Sequence, residues 1–403
     1  MKSLRVLALN CGGATFKYKV LDMPAEEPVC SGVVDRLGTP QAVLRHRGHS
    51  GELAERGCPE ADYEGALALA LRSAAADSDD RWPPEAIAHK LAHGGVRFRD
   101  SCLINEAVKE AMRRVTDLVP LHNPPSLRAV EICETLLPNV PQVGVFETGF
   151  HTTLPPEAYL YGVPYEWYEE YGVRKFGFHS CSHRYVTERL ARLLGLPLGE
   201  TSLISCHLGS GTSVCAVRNG QSVDISSGLT PQSGTIMSTR PGDFDPALVP
   251  YVMARGGLSL DEVMEALVRR GGLLGISGTS GDVRDLEAQA ARGDKRARLA
   301  LRVFVYQVRK YIGQFLILLP RLRALVFTGG IGENSASLRG EICAGLERFD
   351  IVLDAARNRA LQGEGVISTD DSPVPVWVIP TDEEVVVARE AYRLLGKECR
   401  PCP

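Results

Sequence analysis

The chain contains no long apolar run. Stretches such as 315–319 fall far short of the roughly 20 residues a membrane-spanning helix needs, so none is expected to cross a bilayer. Neither sign of charge dominates. Lysine and arginine total 45 against 49 aspartate and glutamate, a net charge of −4, which argues against nucleic acid or an anionic membrane as the main partner. The start, MKSLRVLALNCGG, is briefly basic but reads into a strand and a glycine turn without a cleavage site, so a cytoplasmic protein is expected. A disulfide framework is missing too. The 11 cysteines are odd in number and scattered, and they read as buried reduced thiols. The C-x-x-C at Cys399 and Cys402 lacks both the strand-to-helix context of a redox pair and the further ligands of a zinc site. Neither G-x-x-x-x-G-K-[ST] nor G-x-G-x-x-G is present.

Glycine, by contrast, is abundant at 40 residues, and the glycines cluster. At about 150 residues per domain, 403 residues predict two domains, or three, each able to bury its own core. Residues 6–9 form an apolar strand and 10–14 a glycine turn; Phe16, Tyr18 and Val20 then alternate with Thr15, Lys17 and Lys19 in a return strand. Residues 203–217 repeat this hairpin around a turn at 207–211, which suggests two related halves. Helices are expected at 62–76, 106–117, 127–137, 259–270, 283–315 and 383–396. Strands are expected at 325–328, running into a glycine turn at 329–334, and at 374–380. The stretch 38–60 has no periodicity and reads as a surface excursion, and 155–176 as a crossover between domains. Alternating strands and helices indicate an α/β fold.

Polyphosphates need close backbone N–H groups, which glycine turns at strand ends supply. The turns at 10–14, 207–211 and 329–334 are three such candidates, and Lys17 is placed to neutralise a phosphate above the first. All nine histidines precede residue 208. His179, Cys181 and His183 would share one face of a strand, but no carboxylate or C-x-x-C adjoins them, so imidazoles donating to an anion are preferred over a metal site. Arg240, among hydroxyls and glycines, suits bidentate binding of carboxylate or phosphate, or else pairs with Asp243. Glu383 and Glu384 end a strand, where a carboxylate suits Mg²⁺, or else simply favour the first turn of the following helix.

Together, NCGGATFK (10–17), HKLAHGG (89–95), PLHNPP (120–125), FETGFH (146–151), GVRKFGFHSCSH (172–183), CHLGSG (206–211), STRPGDFDP (238–246), GLLGISGTSGDVRDL (272–286), FTGGIGENS (327–335) and IPTDEE (379–384) resemble acetate kinase and its short-chain carboxylate kinase relatives. The resemblance covers nearly the whole chain in order. It implies the duplicated two-domain acetate and sugar kinase/Hsc70/actin fold, which is ribonuclease H-like, with one lobe of 1–150 plus 384–403 and the other of 151–383. It implies reversible transfer of the ATP γ-phosphoryl group to acetate or another short acid, a small carboxylate and a nucleotide as partners, Mg²⁺ or Mn²⁺, and a homodimer. By position it implies that Asn10 and Glu383 hold the metal. Lys17 and His207, Leu208, Gly209, Ser210 and Gly211 would hold phosphates. Asp282, Val283 and Arg284, with Gly330, Ile331, Gly332, Glu333 and Asn334, would hold the nucleotide. Glu147, His179 and Arg240 would be catalytic, supported by His122, and Lys90 would lie in the substrate site. Ala92, Leu121, Phe178 and Pro231 would surround the acid's alkyl group.

The chain departs from the family at Lys90, where an arginine is usual, and at Glu147, where an aspartate is usual. Ser210 replaces an asparagine, Ser180 a glycine, Gly13 and Ala14 two serines, and Ala92 a valine. These changes leave three readings open: a kinase for acetate, propionate or a longer acid; a nucleotide-binding homologue without turnover; and a sugar kinase of the same fold.

Overall fold

The protein, described here from a computed structural model over residues 3–12, 15–59, 61–78 and 82–396, divides into two compact units. One comprises Met1–Gly149 with Asp382–Pro403, the other Phe150–Thr381. Gly13, Ala14, Cys399 and Cys402 lie outside the described residues.

The first unit contains β1 (Leu4–Cys11), β2 (Phe16–Met23), β3 (Glu27–Asp35), β4 (Val43–Arg47), β5 (Leu53–Gly57), β6 (Ala86–Leu91), β7 (Cys102–Leu103) and β8 (Gln142–Phe146). They form one sheet ordered β5-β4-β3-β2-β1-β6-β8-β7. β1, β6 and β8 run parallel, while β2 and β3 return antiparallel. β1 and β6 are nearly continuous apolar strands, as befits parallel strands covered on both faces. In β2 every second side chain is buried, Phe16, Tyr18 and Val20 pointing inward and Lys17 outward. Helices Tyr63–Ala76, Asn123–Leu136 and Glu383–Gly396 pack onto this sheet. The first starts where Asp62 accepts the Gly65 N–H at 2.7 Å.

The second unit contains β9 (Leu203–Leu208), β10 (Thr212–Arg218), β11 (Gln221–Ile225), β12 (Ala324–Thr328), β13 (Gly365–Val366) and β14 (Val376–Val378), ordered β11-β10-β9-β12-β14-β13. Its pattern of two antiparallel and two parallel pairings around β9 repeats that around β1. The helix Lys295–Leu318 buries Leu301, Phe304, Val308, Ile312 and Phe315 in the core against this sheet.

Several expectations change. Residues 38–60, expected as an aperiodic surface excursion, hold two regular strands: β4 and β5 extend the sheet. β5 is exposed at every position, so no buried face left an alternating pattern to read. The helix expected at 283–315 is two, Val283–Ala291 and Lys295–Leu318, separated at Gly293, whose φ is +96°. Residues 155–176 hold two short helices, Pro156–Tyr159 and Glu166–Tyr171. Glu383, grouped above with the second half, belongs to the first unit, because Asn10 and Lys90 bind its carboxylate. The nine cysteines among the described residues are buried and unbridged. Burial pushes the Cys11 thiol up to about 11 and Cys206 well above its ordinary value, so both are inert. No helix among the described residues is long and apolar enough to cross a membrane.

Four buried histidines carry a pH signature. Burial pulls His89 and His93 down to about 4, His151 to about 3 and His183 well below its ordinary value. These imidazoles stay neutral in the fold, whereas the unfolded chain protonates them near pH 6.5. Stability is therefore unaffected by these groups above pH 6.5 and falls below it, by about 1.4 kcal/mol per histidine per pH unit, until the folded values are reached. Calorimetry should show a Tm that drops steeply between pH 6.5 and 4.5; a flat profile there would contradict this account.

Candidate functional site

The first unit gathers polar groups where its parallel strands end. Asn10 stands opposite Lys17 on β2 and Lys90 on β6, so the three occupy one row across the sheet. Asn10 Nδ2 donates to Glu383 Oε2 at 3.2 Å and to Glu384 Oε1 at 3.1 Å. Lys90 Nζ donates to Glu383 Oε2 at 2.6 Å and lies 3.5 Å from Glu147 Oε2. Glu147 follows β8, its N–H bound to the Leu91 carbonyl at 2.8 Å. The two departures from the family pattern, Lys90 and Glu147, thus meet as one ion pair. Lysine lacks the guanidinium fork and glutamate adds a methylene, so the longer acid reaches toward the point charge. Lys17 is exposed, Ala92 is buried and Leu121 is 44% exposed. His122 precedes the helix Asn123–Leu136. Sequence reasoning missed Asn123, fully buried, whose amide bonds the His93 N–H and the carbonyls of His93 and Met112, clamping PLHNPP to HKLAHGG.

Asn10 and Glu383, in hydrogen-bond contact, offer an amide oxygen and a carboxylate. Mg²⁺ favours such ligands, taking one or two carboxylates and leaving its other positions to water and phosphate. The residues present fit that ion. Among the described residues, no cluster of three or more His, Cys, Asp or Glu is placed to hold a metal by itself.

The second unit gathers imidazoles and a guanidinium. His179, Cys181 and His183 sit at the start of the helix Ser180–Leu194 rather than on a strand. His179 adopts φ 61° and ψ 32°, a left-handed backbone that costs a non-glycine residue about 1–2 kcal/mol. Its Nδ1 contacts Ser213 Oγ at 2.8 Å, its ring stacks on His207 at 4.3 Å, and Ser182 Oγ holds His207 Nδ1 at 2.7 Å. His183 Nε2 contacts the same Ser213 Oγ at 2.8 Å and its Nδ1 contacts Ser205 Oγ at 2.9 Å, so both nitrogens are satisfied by hydroxyls and neither ligates a metal. Gly211 lies beneath this group. A Cβ there would stand 3.0 Å from His179 Nε2 and 3.2 Å from Arg240 Nη2, so only glycine leaves the space between them. Arg240 is fixed by its Nη1 donating to the Pro231 carbonyl at 2.7 Å, and burial lowers its pKa from the ordinary value. Phe178 is buried beside His179 in sequence, its carbonyl bound to His151 Nε2 at 3.0 Å.

A cavity of about 770 Å³ opens beside these groups in sequence and structure, lined by Gly209, Ser210, Asp282, Val283, Arg284, Gly330, Ile331 and Asn334, all of them anticipated. Ser238, Ser280, Gly281, Glu287 and Ser335 also line it and were not anticipated. Ser280 and Gly281 lay inside a quoted string. Glu287 carried no sequence signal, since its role is to accept the hydroxyls of Ser335 and Ser337, both at 2.7 Å, across 48 and 50 residues. Asp282 caps its helix, accepting the Arg284 N–H at 2.9 Å and the Arg284 guanidinium, which lowers its pKa. The run 329–334 is a short helix rather than an open turn. Gly329 has φ +76°, and a Cβ there would lie 2.7 Å from the Leu208 carbonyl oxygen. Leu208 is a core side chain, Gly332 is buried, and Glu333 Oε1 accepts the N–H groups of Gly329 at 2.9 Å and Thr381 at 3.3 Å. Buried Arg339 secures the same run through the carbonyls of Gly332 and Glu333 at 2.9 and 2.8 Å.

A model of the acetokinase family matches residues 5–389. An acetate kinase of Carboxydothermus hydrogenoformans is 44% identical over 396 residues, which span 97% of this chain and 99% of that one. One of Dictyoglomus thermophilum is 44% identical over 401 residues, 98% and 100% of the two chains. Among solved structures, Porphyromonas gingivalis acetate kinase superimposes with a TM-score of 0.86 at 38% identity, covering 97% of this chain and all 100% of that one. A propionate kinase from Francisella tularensis gives 0.89 at 34% identity, covering 96% and 98%.

The shared Ser213 hydroxyl has one proton for two imidazole nitrogens, so it donates to one and accepts from the other. Ser213→Ala should change the Nδ1/Nε2 tautomer balance of His179 in imidazole ¹⁵N spectra and cut turnover roughly tenfold to a hundredfold, with Ser213→Thr restoring both. Unchanged spectra would remove Ser213 from this role.

Proposed function

We infer, because the chain belongs to the acetokinase family, that it transfers the γ-phosphoryl group of ATP reversibly to a short-chain carboxylate, giving ADP and an acyl phosphate. The observation that carries this reading is the approach of Arg240 Nη2 and His179 Nε2 over Gly211. Phosphoryl transfer requires positioning and positive charge around three equatorial oxygens rather than covalent chemistry. Arg240 stays protonated despite burial and supplies a fixed fork for carboxylate or phosphoryl oxygens. His179, oriented through Ser213, supplies a second donor. The glycine backbone of 209–211 and the cavity walls at 282–284 and at Gly330, Ile331 and Asn334 suit phosphates and a nucleoside. Lys17, exposed on the row with Asn10, suits a phosphate oxygen. Asn10 and Glu383 would hold Mg²⁺, which when bound neutralises phosphate charge. Lys90 bridges Glu383 and Glu147, holding both carboxylates in place.

Ala92 replaces a valine, which leaves room for roughly two more carbons on the acid at about 0.8 kcal/mol per buried CH₂. Exposed aromatic and apolar side chains at Tyr165, Trp167, Tyr171, Tyr251 and Leu260 support a homodimer. The unbridged cysteines support a reducing compartment, the cytoplasm.

A hydroxamate assay with ATP, Mg²⁺ and acetate, propionate or butyrate should detect acyl phosphate, with kcat/KM for propionate at or above that for acetate. A strong acetate preference would sink the pocket reading. ATP binding by calorimetry without any acyl phosphate would favour the nucleotide-binding homologue instead. For the Lys90–Glu147 pair, Lys90→Arg or Glu147→Asp alone should each cost roughly a hundredfold in kcat. The double variant should recover to within about tenfold of the parent, the signature of coupled neighbours. Additive losses would show that the two side chains act independently.

A further inference from the structure

The helix Lys295–Leu318 carries six cations, Lys295, Arg296, Arg298, Arg302, Arg309 and Lys310, and no acid, in a chain whose net charge is −4. Arg296 and Arg298 donate to backbone carbonyls of neighbouring segments. Arg302, Arg309 and Lys310 show no carboxylate partner among the described residues. With Tyr306 they recur at helical spacing on the face opposite the buried Leu301, Phe304, Val308 and Ile312. That face walls a cavity of about 740 Å³, nearly the size of the one beside Asp282 and sharing no residue with it.

The far wall adds Arg348 and Phe349. Arg348 Nε donates to the Gly345 carbonyl at 3.1 Å and its guanidinium lies 5.5 Å from the Phe349 ring centre. Tyr306 is 69% exposed and Phe349 44% exposed, so both rings can be reached by a partner. Gly313 and Gly345 keep the floor bare: a Cβ at Gly345 would stand 3.1 Å from Arg309 Nη2. Glu341 is the only acid on the lining. Four cations against one acid demand an anion, and open aromatic faces in the same cavity suit a planar ring. A nucleic acid would need such charge spread along a stripe, whereas here it is confined to one cavity.

We propose that this groove is a second ligand site, separate from the catalytic cavity, for a phosphate ester bearing a planar ring, of which a nucleoside phosphate is the natural class. The site is also wired to the first. Helix Lys295–Leu318 packs against helices Gly272–Ser277 and Val283–Ala291, and the latter carries Val283, Arg284 and Glu287 of the catalytic cavity. A ligand that shifts this helix changes nucleotide affinity in the catalytic cavity, and the coupling is reciprocal.

The test titrates adenosine monophosphate, and separately inorganic pyrophosphate, into the full-length protein free of other nucleotide, so that the catalytic cavity and the groove are read as separate events. Adenosine monophosphate should give a second, salt-sensitive binding event at one equivalent per chain. Pyrophosphate, which has charge without a ring, should bind about tenfold more weakly, a difference of roughly 1.4 kcal/mol. Arg309→Ser with Lys310→Ser should abolish the event for both probes while acyl phosphate formation persists. Tyr306→Ser should weaken only adenosine monophosphate. Absence of a second event below about 1 mM, which corresponds to −4.1 kcal/mol, or its survival in the double variant, would overturn the proposal. Pyrophosphate binding as tightly as adenosine monophosphate would overturn the ring requirement.

Discussion

Parallel pairing of β1 with β6, and of β9 with β12, is the constraint on which both units depend. Parallel strands cannot be joined by a tight turn, so the chain must leave, build helices and return. In returning, it sets strand ends from distant parts of the sequence side by side. Asn10 meets Lys90 in this way, and His207 meets Thr328. The hairpins β1–β2 and β9–β10 then bend the chain back beside those ends. Polar groups collect there because the rest of each parallel strand is buried on both faces.

The hairpins were legible in the sequence because alternation and glycine are local signals: Phe16, Tyr18 and Val20 face inward whatever the rest of the chain does. The cavity walls at 282–284 and at Gly330, Ile331 and Asn334 were legible through the strings that carry them. What the sequence did not reveal depends on register and reach. Lys90 and Glu147 looked like two separate losses, and only β6 pairing with β8 shows that they share one ion pair. The left-handed backbone at His179 has no residue signature, since it is imposed by packing around an L-residue. β5 was missed because an edge strand exposed on every side chain has no pattern to give. Glu333 was expected at the nucleotide through the family resemblance of its string; that its carboxylate closes the backbone of the string from within has no local signal.

Charge tells a similar story at a larger scale. A net value of −4 is an average over 403 residues, and it conceals a helix with six cations and no acid. Average charge excludes partners that cover the whole surface, such as duplex nucleic acid. It says nothing about a single groove, where a few unpaired side chains set the local potential.

The penultimate residue of β1 is an amide, Asn10, flanked by lysines and carboxylates; the penultimate residue of β9 is an imidazole, His207, flanked by hydroxyls and other imidazoles. The same strand arrangement thus carries two chemistries at the same place in the sheet. Neither set of groups can do the other's chemistry, so a lesion at one strand end has no backup at its counterpart: the repeat supplies division of labour and not redundancy.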